Sequence, residues 1–417
     1  MIKFNSRERV LASINHKEPD KVPIDLGGTT VTGISVYAYA KLKEYLGMDP
    51  GKIRVYDVTQ QLAWVEKEIT QKFSTDVLDS GRVYKLNEED WYDINIKGID
   101  LQFPYWFKPI KNDADGSYEY YNREGLLLGR MPKASFFFDQ TYYPYLDGYP
   151  EDFSDFNKDM KNLFWLACPN PPFDSMDRKR FWRDFKQRAK ELQEKSNKAL
   201  TLTMGGSTFE FGTVIRRIDN FLMDLIRNKS KVEKLVDKLL DFAIATATFV
   251  CQYLDGIVDI VRIGDDLGSN VGPFMRPETY REIFKPRTTE LCKYIKKHSS
   301  MKIFFHSCGS VYELIPDLID AGIDILNPVQ LNVKDMDPKR LKEEFGDELT
   351  FWGGGADTKN VLSRKSPEEV KKHVRELLEI FSPGGGFIWS AVHNITAEVP
   401  PENIVAAIET VHKFNSE

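Results

Sequence analysis

The chain is poor in the residue that builds covalent scaffolds and has no excess of positive charge. Only four cysteines occur in 417 residues, Cys168, Cys251, Cys292 and Cys308. They stand too far apart for a disulfide framework and predict a reducing compartment, the cytoplasm. Positive charge is not in excess. The formal net charge is −6, which argues against non-specific binding to nucleic acid or to an anionic membrane surface. No apolar run reaches the roughly 18 residues that would cross a bilayer. The opening stretch, MIKFNSRERVLASINHKEPD, lacks the apolar centre of a signal peptide and reads as a helix. There is no internal repeat and no low-complexity tract. No Gly-x-Gly-x-x-Gly follows the first strand, which weakens a dinucleotide-binding reading.

What remains is an ordinary globular composition, 41% hydrophobic and 29% charged, with enough length for one large domain carrying an insertion. A helix from Arg7 to Asn15 precedes a strand at Val22–Gly28. A helix from Ile34 to Leu46 ends at Gly47, and an apolar helical stretch covers Asp57 to Phe73. Residues from about 75 to 160 change character, with alternating and aromatic segments such as Trp91–Ile96 and Leu101–Phe107 between turn signals. They predict antiparallel hairpins inserted into another fold. The cluster Phe136, Phe137, Phe138, Tyr142, Tyr143 and Tyr145 forms either the insertion's own core or a roof over a pocket.

From about residue 175 the rhythm is regular. Short apolar strands at 199, 257, 301, 323, 349 and 386 alternate with helices ending in Pro401–Phe414. Strand-helix alternation predicts a parallel sheet covered by helices. The most economical closure is an α/β fold, an eight-stranded (β/α) TIM-type barrel spanning residues 1–417 with the β-rich insertion in its N-terminal half. An open doubly wound sheet is the competing architecture.

Chemistry in such barrels gathers at the C-terminal ends of the strands. Those ends carry Asp25 with Gly27 and Gly28; Gly205 and Gly206 followed by Glu210; Asp265 and Asp266; His306 and Cys308; Asn327 and Gln330; Gly353, Gly354 and Gly355 with Asp357; and His393 with Asn394. His306 and Cys308 are two residues apart on one strand and so face one side. Imidazole and thiolate are both good zinc ligands. Two ligands do not complete a site, and His393, Asp265, Asp266 and Glu210 are candidates for the third. The carboxylates and His393 are also candidate proton-moving groups. Asn327, Gln330, Gly354 and Asp357 are candidate substrate-binding residues. One of Asp265 and Asp266 is expected to cap the segment that follows. Asp357, before Thr358, is equally suited to fixing a turn.

At this point the chain resembles the uroporphyrinogen decarboxylase superfamily, from Arg7-Glu8-Arg9-Val10 to Pro400-Pro401-Glu402-Asn403. The resemblance is carried by Asp265 with Arg276–Arg281, by Gly354 through Asp357 to Leu362, and by the ending Val392–Asn403. It implies a (β/α) barrel. The decarboxylase itself resembles other members in an arginine-rich segment near the N-terminus, whereas Val22–Gly33 has no arginine. A polyanionic porphyrinogen needs cationic partners.

The His306-x-Cys308 element instead resembles the zinc-dependent, corrinoid-linked methyltransferases of the superfamily. In their thiol-directed members a further cysteine precedes the final strand, and Gly385 stands at the matching position here. The resemblance therefore implies zinc held by His306, Cys308 and another ligand. It also implies methyl transfer from a small O-methyl compound to the Co(I) corrinoid of a separate corrinoid protein, which then carries methylcobamide, since no Asp-x-His-x-x-Gly is present. A homodimer is also expected. The competing expectations are decarboxylation of a small carboxylate or porphyrinogen-like substrate, and a non-catalytic binding protein.

Overall fold

Strands buried on both faces need neighbours on both edges and cover above and below. Every residue of Ala199–Thr203 and of Ile260–Gly264 is buried, so neither strand can lie at an open edge. In the computed structural model, which describes residues 3–84, 87–164, 178–205 and 207–417, they belong to a seven-stranded parallel sheet. Cys168 and Gly206 lie outside the described residues. The strands, in spatial order, are Phe387–Ile388, Thr350–Trp352, Ile325–Asn327, Lys302–His306, Ile260–Gly264, Ala199–Thr203 and Val77–Asp79. Each lies beside its predecessor in the sequence, the order of a (β/α) barrel.

The segment around Ile24 closes the sheet. Ile24 bridges Trp389 in parallel. The Asp25 amide donates to the Trp389 carbonyl and the Trp389 amide to the Pro23 carbonyl, both at 2.9 Å, while the Asp76 amide donates to the Ile24 carbonyl at 2.7 Å. The fold is thus a TIM-type barrel. The strand expected at Val22–Gly28 is reduced to this single bridge. Pro23 has no amide to donate, and Gly27, at a φ of 82°, turns the chain away.

The helix Ser6–Ile14 opens on a capping box between Asn5 and Glu8. Its Val10 and Ile14 share one apolar cluster with Val77, Ala199, Ile260, Phe304, Ile325, Trp352 and Ile388, which fills the barrel interior from below. The N-terminal mouth is therefore plugged and the C-terminal mouth is left for ligands.

Two sequence expectations fail near the insertion. Only Lys67–Lys72 of the stretch read as helix is helical. Ile53–Asp57 is a strand that pairs in parallel with Ile99–Pro104, and Leu62–Ala63 is another. Ile53 and Val55 are buried around half-buried Arg54, the period-2 pattern of a strand. Val77–Asp79, inside the stretch read as insertion, is a barrel strand, too short at three residues to show a period.

The hairpins are present. Trp91–Ile96 pairs antiparallel with Ile99–Pro104 across Lys97 and Gly98, both at positive φ, the turn that matches strand twist. Of the aromatic cluster, Phe138 and Tyr145 are buried while Phe136 and Phe137 are exposed. Phe138 packs on Phe107 and Phe164, so it belongs to the insertion's own core.

Asp76 ties the closure together. Its Oδ2 accepts from the Ile24 amide at 2.9 Å, and its Oδ1 accepts from Arg9 Nη1 at 2.6 Å. Both partners of this ion pair are largely buried. Asp76→Ala leaves the Arg9 guanidinium with Asp20 alone and strands the Ile24 amide, so chemical unfolding should show a loss of about 1–3 kcal/mol. A loss below about 1 kcal/mol would show that closure does not depend on this carboxylate.

Candidate metal centre

Three side chains converge at the C-terminal mouth. His306 ends its strand, Cys308 follows two residues later, and His393 comes from the loop after the last strand. One ligand atom from each lies within 4.8 Å of the others. His306 Nε2 and Cys308 Sγ are 3.5 Å apart, and the two imidazole centroids are separated by 5.3 Å.

The orientation of His306 is fixed from behind. Its Nδ1 meets Asn327 Oδ1 at 2.6 Å, while Asn327 Nδ2 donates to the Trp352 carbonyl at 2.7 Å. The carboxamide is therefore oriented with its oxygen toward the ring, and Nδ1 must carry the proton. This leaves the Nε2 lone pair facing Cys308, the arrangement that readies an imidazole for a cation.

The loop carrying Cys308 is stapled on both sides. Asp266 Oδ1 accepts from the Cys308 amide at 2.9 Å, Gln330 Oε1 from the Gly309 amide at 2.8 Å, and Ser307 Oγ from the Leu267 amide at 3.0 Å. Gly309, at a φ of 86°, lies so close to Gly268 that an added Cβ would come within 2.2 Å of its backbone. Glycine is required there for two loops to touch. His393 holds a φ of 60°, an uncommon conformation for a residue with a side chain. The next residue anchors it, with Asn394 Oδ1 accepting from the Gly33 amide at 2.6 Å and Asn394 Nδ2 donating to Gln60 Oε1 at 2.9 Å.

The carboxylates have divided roles. Asp265 is fully buried. Its Oδ1 accepts from the Ser207 amide at 3.2 Å and the Glu210 amide at 2.8 Å, which caps the Thr208–Arg216 helix whose own N-cap side chain makes no such bond. The expectation that Asp265 or Asp266 would cap the following segment is thus corrected. Asp265 caps a helix earlier in the chain, and Asp266 serves the Cys308 loop. Burial, with the Glu210 charge adding to it, pushes the Asp265 carboxyl up to about 8. Asp266 Oδ1 also lies 3.6 Å from His306 Nε2. Burial and the neighbouring Asp266 raise Glu210 to about 7, against the opposing charge of Arg262. Glu210 Oε2 and Asp265 Oδ2 are both buried without a partner.

The residues read as substrate-binding spend their polar atoms on the protein. Asn327 orients His306. Gln330 holds Gly309 and donates to Asn332. Asp357 accepts from the Lys359 and Asn360 amides, both at 2.9 Å, and so fixes the turn that opens Thr358–Leu362. Gly354, at a φ of 71°, packs against Val329, which an added Cβ would meet at 3.0 Å. Asp25 is likewise committed, to the Gly28 amide and to Trp352 Nε1. Gly385 precedes the last strand and so lies at the plugged end, where an added Cβ would meet the Lys17 carbonyl at 2.7 Å. A thiol there could not join His306 and Cys308, so its absence does not weaken the site.

Sequence reasoning missed Arg262. Its signal was a lone cation between Val261 and Ile263 in a strand buried on both faces.

The donor set fits zinc. A tetrahedral ion with Zn–N of about 2.0–2.1 Å and Zn–S of about 2.3 Å puts such a nitrogen and sulfur about 3.5 Å apart, the separation found between His306 and Cys308. Two nitrogens and a sulfur suit a borderline-soft cation. Burial drives both imidazoles down to about 3, with Arg262 adding to the shift of His306 and the His306 ring to that of His393. Burial, then Asp266 and Glu210, hold the Cys308 thiol well above its ordinary range.

Metal uptake must therefore release one thiol proton and none from imidazole. Zinc affinity should rise about tenfold per pH unit between pH 6 and 8, as read by competition with a chelator. A hundredfold rise per unit would mean that a second proton, from a histidine or from Glu210, leaves on binding. Asn327→Ala should weaken zinc about 10–100-fold. An unchanged affinity would remove the positioning role given to Asn327.

Comparisons with known proteins agree with this architecture. Residues 185–414 match the family profile described as Uroporphyrinogen decarboxylase (URO-D). The uroporphyrinogen decarboxylase of Methylococcus capsulatus is 25% identical over 220 residues, and that of Pseudomonas putida strain F1 is 27% identical over 226. These matches cover 52% of this chain and 56% of each relative, so the chain spans about half the length of the curated relatives it matches. Among solved structures, a methyltransferase from Methanosarcina mazei superposes with a TM-score of 0.59 at 17% identity, covering 99% of both chains. That likeness is one of fold.

Proposed function

This chain belongs to the uroporphyrinogen decarboxylase family, and we propose that it uses the family's barrel for methyl transfer, as a zinc-dependent methyltransferase. The observation that carries the reading is the convergence of His306, Cys308 and His393 at the open mouth. Decarboxylation of a porphyrinogen is disfavoured by the segment that closes the barrel. Val22–Gly33 has no arginine, and its one carboxylate, Asp25, is committed to Gly28 and Trp352.

In this reading His306, Cys308 and His393 hold the ion. When bound, zinc would supply Lewis acidity toward the leaving oxygen of a small O-methyl donor, and the Co(I) cobamide of a separate corrinoid protein would accept the methyl group and leave as methylcobamide. The protein's own residues do the rest. Asn327 keeps the His306 proton on Nδ1, and Asp266 fixes the backbone of Cys308. Glu210, poised at about 7, is suited to give a proton to the departing oxygen at neutral pH. Asp265 keeps the helix carrying Glu210 in register.

The test is conversion of Co(I) cobalamin to methylcobalamin by the zinc-loaded protein with a panel of O-methyl compounds, followed by absorbance. Cys308→Ser and His393→Ala should each slow transfer by about a hundredfold. Release of carbon dioxide from a small carboxylic acid without metal, and with no methylcobalamin formed, would assign the chain to decarboxylation instead.

A further inference from the structure

Arg262 lies in the middle of the Ile260–Gly264 strand, where side chains alternate between the helices and the barrel interior. It shares a face with Ile260, which belongs to the interior cluster with Phe304 and Trp352. In the ladder it is level with Thr203 on one side and Phe304 on the other, two residues below Gly264, the partner of His306. At about 3.3 Å per residue, the Arg262 backbone is some 6–7 Å deeper in the barrel than His306. Its charge acts on Glu210, His306, His393 and Cys308.

The guanidinium has nothing to hold. Arg262 is 7% exposed, its Nε is buried without a partner, and among the described residues it makes no side-chain hydrogen bond or ion pair. Thr203 Oγ1, level with it, is also buried and unpaired. Glu210 is close enough to feel the charge but not to pair with it. An uncompensated buried cation is strongly unfavourable unless an anion completes it.

We propose that Arg262, with the Thr203 hydroxyl, is a carboxylate-binding subsite beneath the metal centre, and that the substrate is a small methoxy acid rather than a neutral ether. A carboxylate held on the fork of Arg262 anchors the substrate in the interior and leaves its ether end at the level of His306 and Cys308. Guanidinium matches a planar carboxylate with paired donors. Phe304 and Trp352, which meet edge to face, form an apolar wall for the carbon skeleton. The assignment rests on the methyl-transfer reading for the methoxy group alone. The anion subsite needs no metal.

The experiment is calorimetric titration of the full chain, metal-free and zinc-loaded, with two acid–amide pairs. These are methoxyacetate with methoxyacetamide, and 4-methoxybenzoate with 4-methoxybenzamide. At least one acid should bind the wild type about tenfold or more tightly than its amide, the effect of one charge-assisted contact. The preference should vanish in Arg262→Gln and persist in part in Arg262→Lys. Arg262→Gln should also melt no lower than the wild type, because it removes an unpaired buried charge.

Equal binding of every acid and its amide by the wild type would overturn the proposal without any variant. So would a preference that survives Arg262→Gln, or protection from thermal unfolding by inorganic phosphate alone. Acid preference in a protein that transfers no methyl group would uphold the subsite and sink the methyl-transfer reading. Transfer from neutral ethers with no acid preference would do the reverse.

Discussion

The hydrogen bond between His306 Nδ1 and Asn327 Oδ1 is the interaction on which the site depends. Asn327 is held in turn by the Trp352 carbonyl, so three adjacent barrel strands decide which imidazole nitrogen is free. With the proton fixed on Nδ1, the Nε2 lone pair faces the thiol. Reversing the carboxamide would turn its NH₂ toward the ring and move the imidazole proton to the wrong side. A backbone constraint of the β-barrel is thereby converted into the direction of one electron pair.

Charge organises the rest of the mouth. Burial keeps the imidazoles neutral, the Cys308 thiol protonated and the Glu210 carboxyl near neutrality; the fixed cation Arg262 reinforces the first and opposes the other two. A bound dication inverts the state of Cys308, since a coordinated thiol is deprotonated outright. The two charges would then lie at different depths, an ion held at the level of His306 and Cys308 and Arg262 deeper in the barrel. That vertical separation suits a molecule with one electron-rich atom at each end.

The sequence revealed the later part of the barrel almost residue by residue, for physical reasons. The helices Pro338–Phe345, Pro367–Phe381 and Pro401–Phe414 keep the limits read from the chain, because proline at the first helical position marks each start. His306 and Cys308 were legible as a candidate pair because residues two apart on a strand face one side, and because several other strands end in carboxylates or histidine. His393 was legible as one candidate ligand among several, but its choice over the aspartates needed the third dimension. The closing segment at Ile24 and the strand Val77–Asp79 were hidden or misread because one bridge and three residues carry no period. Asp265 and Asp266 look equivalent in the chain. Only the fold shows that one caps a distant helix and the other supports the thiol loop.

The account's central claim is that one cation binds two imidazoles and one sulfur at the open end of the barrel. Zinc-edge X-ray absorption on the zinc-loaded protein measures this most directly. The account predicts one sulfur at about 2.3 Å and two histidine nitrogens at about 2.0–2.1 Å, with any remaining ligand a light atom from solvent or substrate. A first shell made only of oxygen and nitrogen, unchanged in Cys308→Ser, would contradict it.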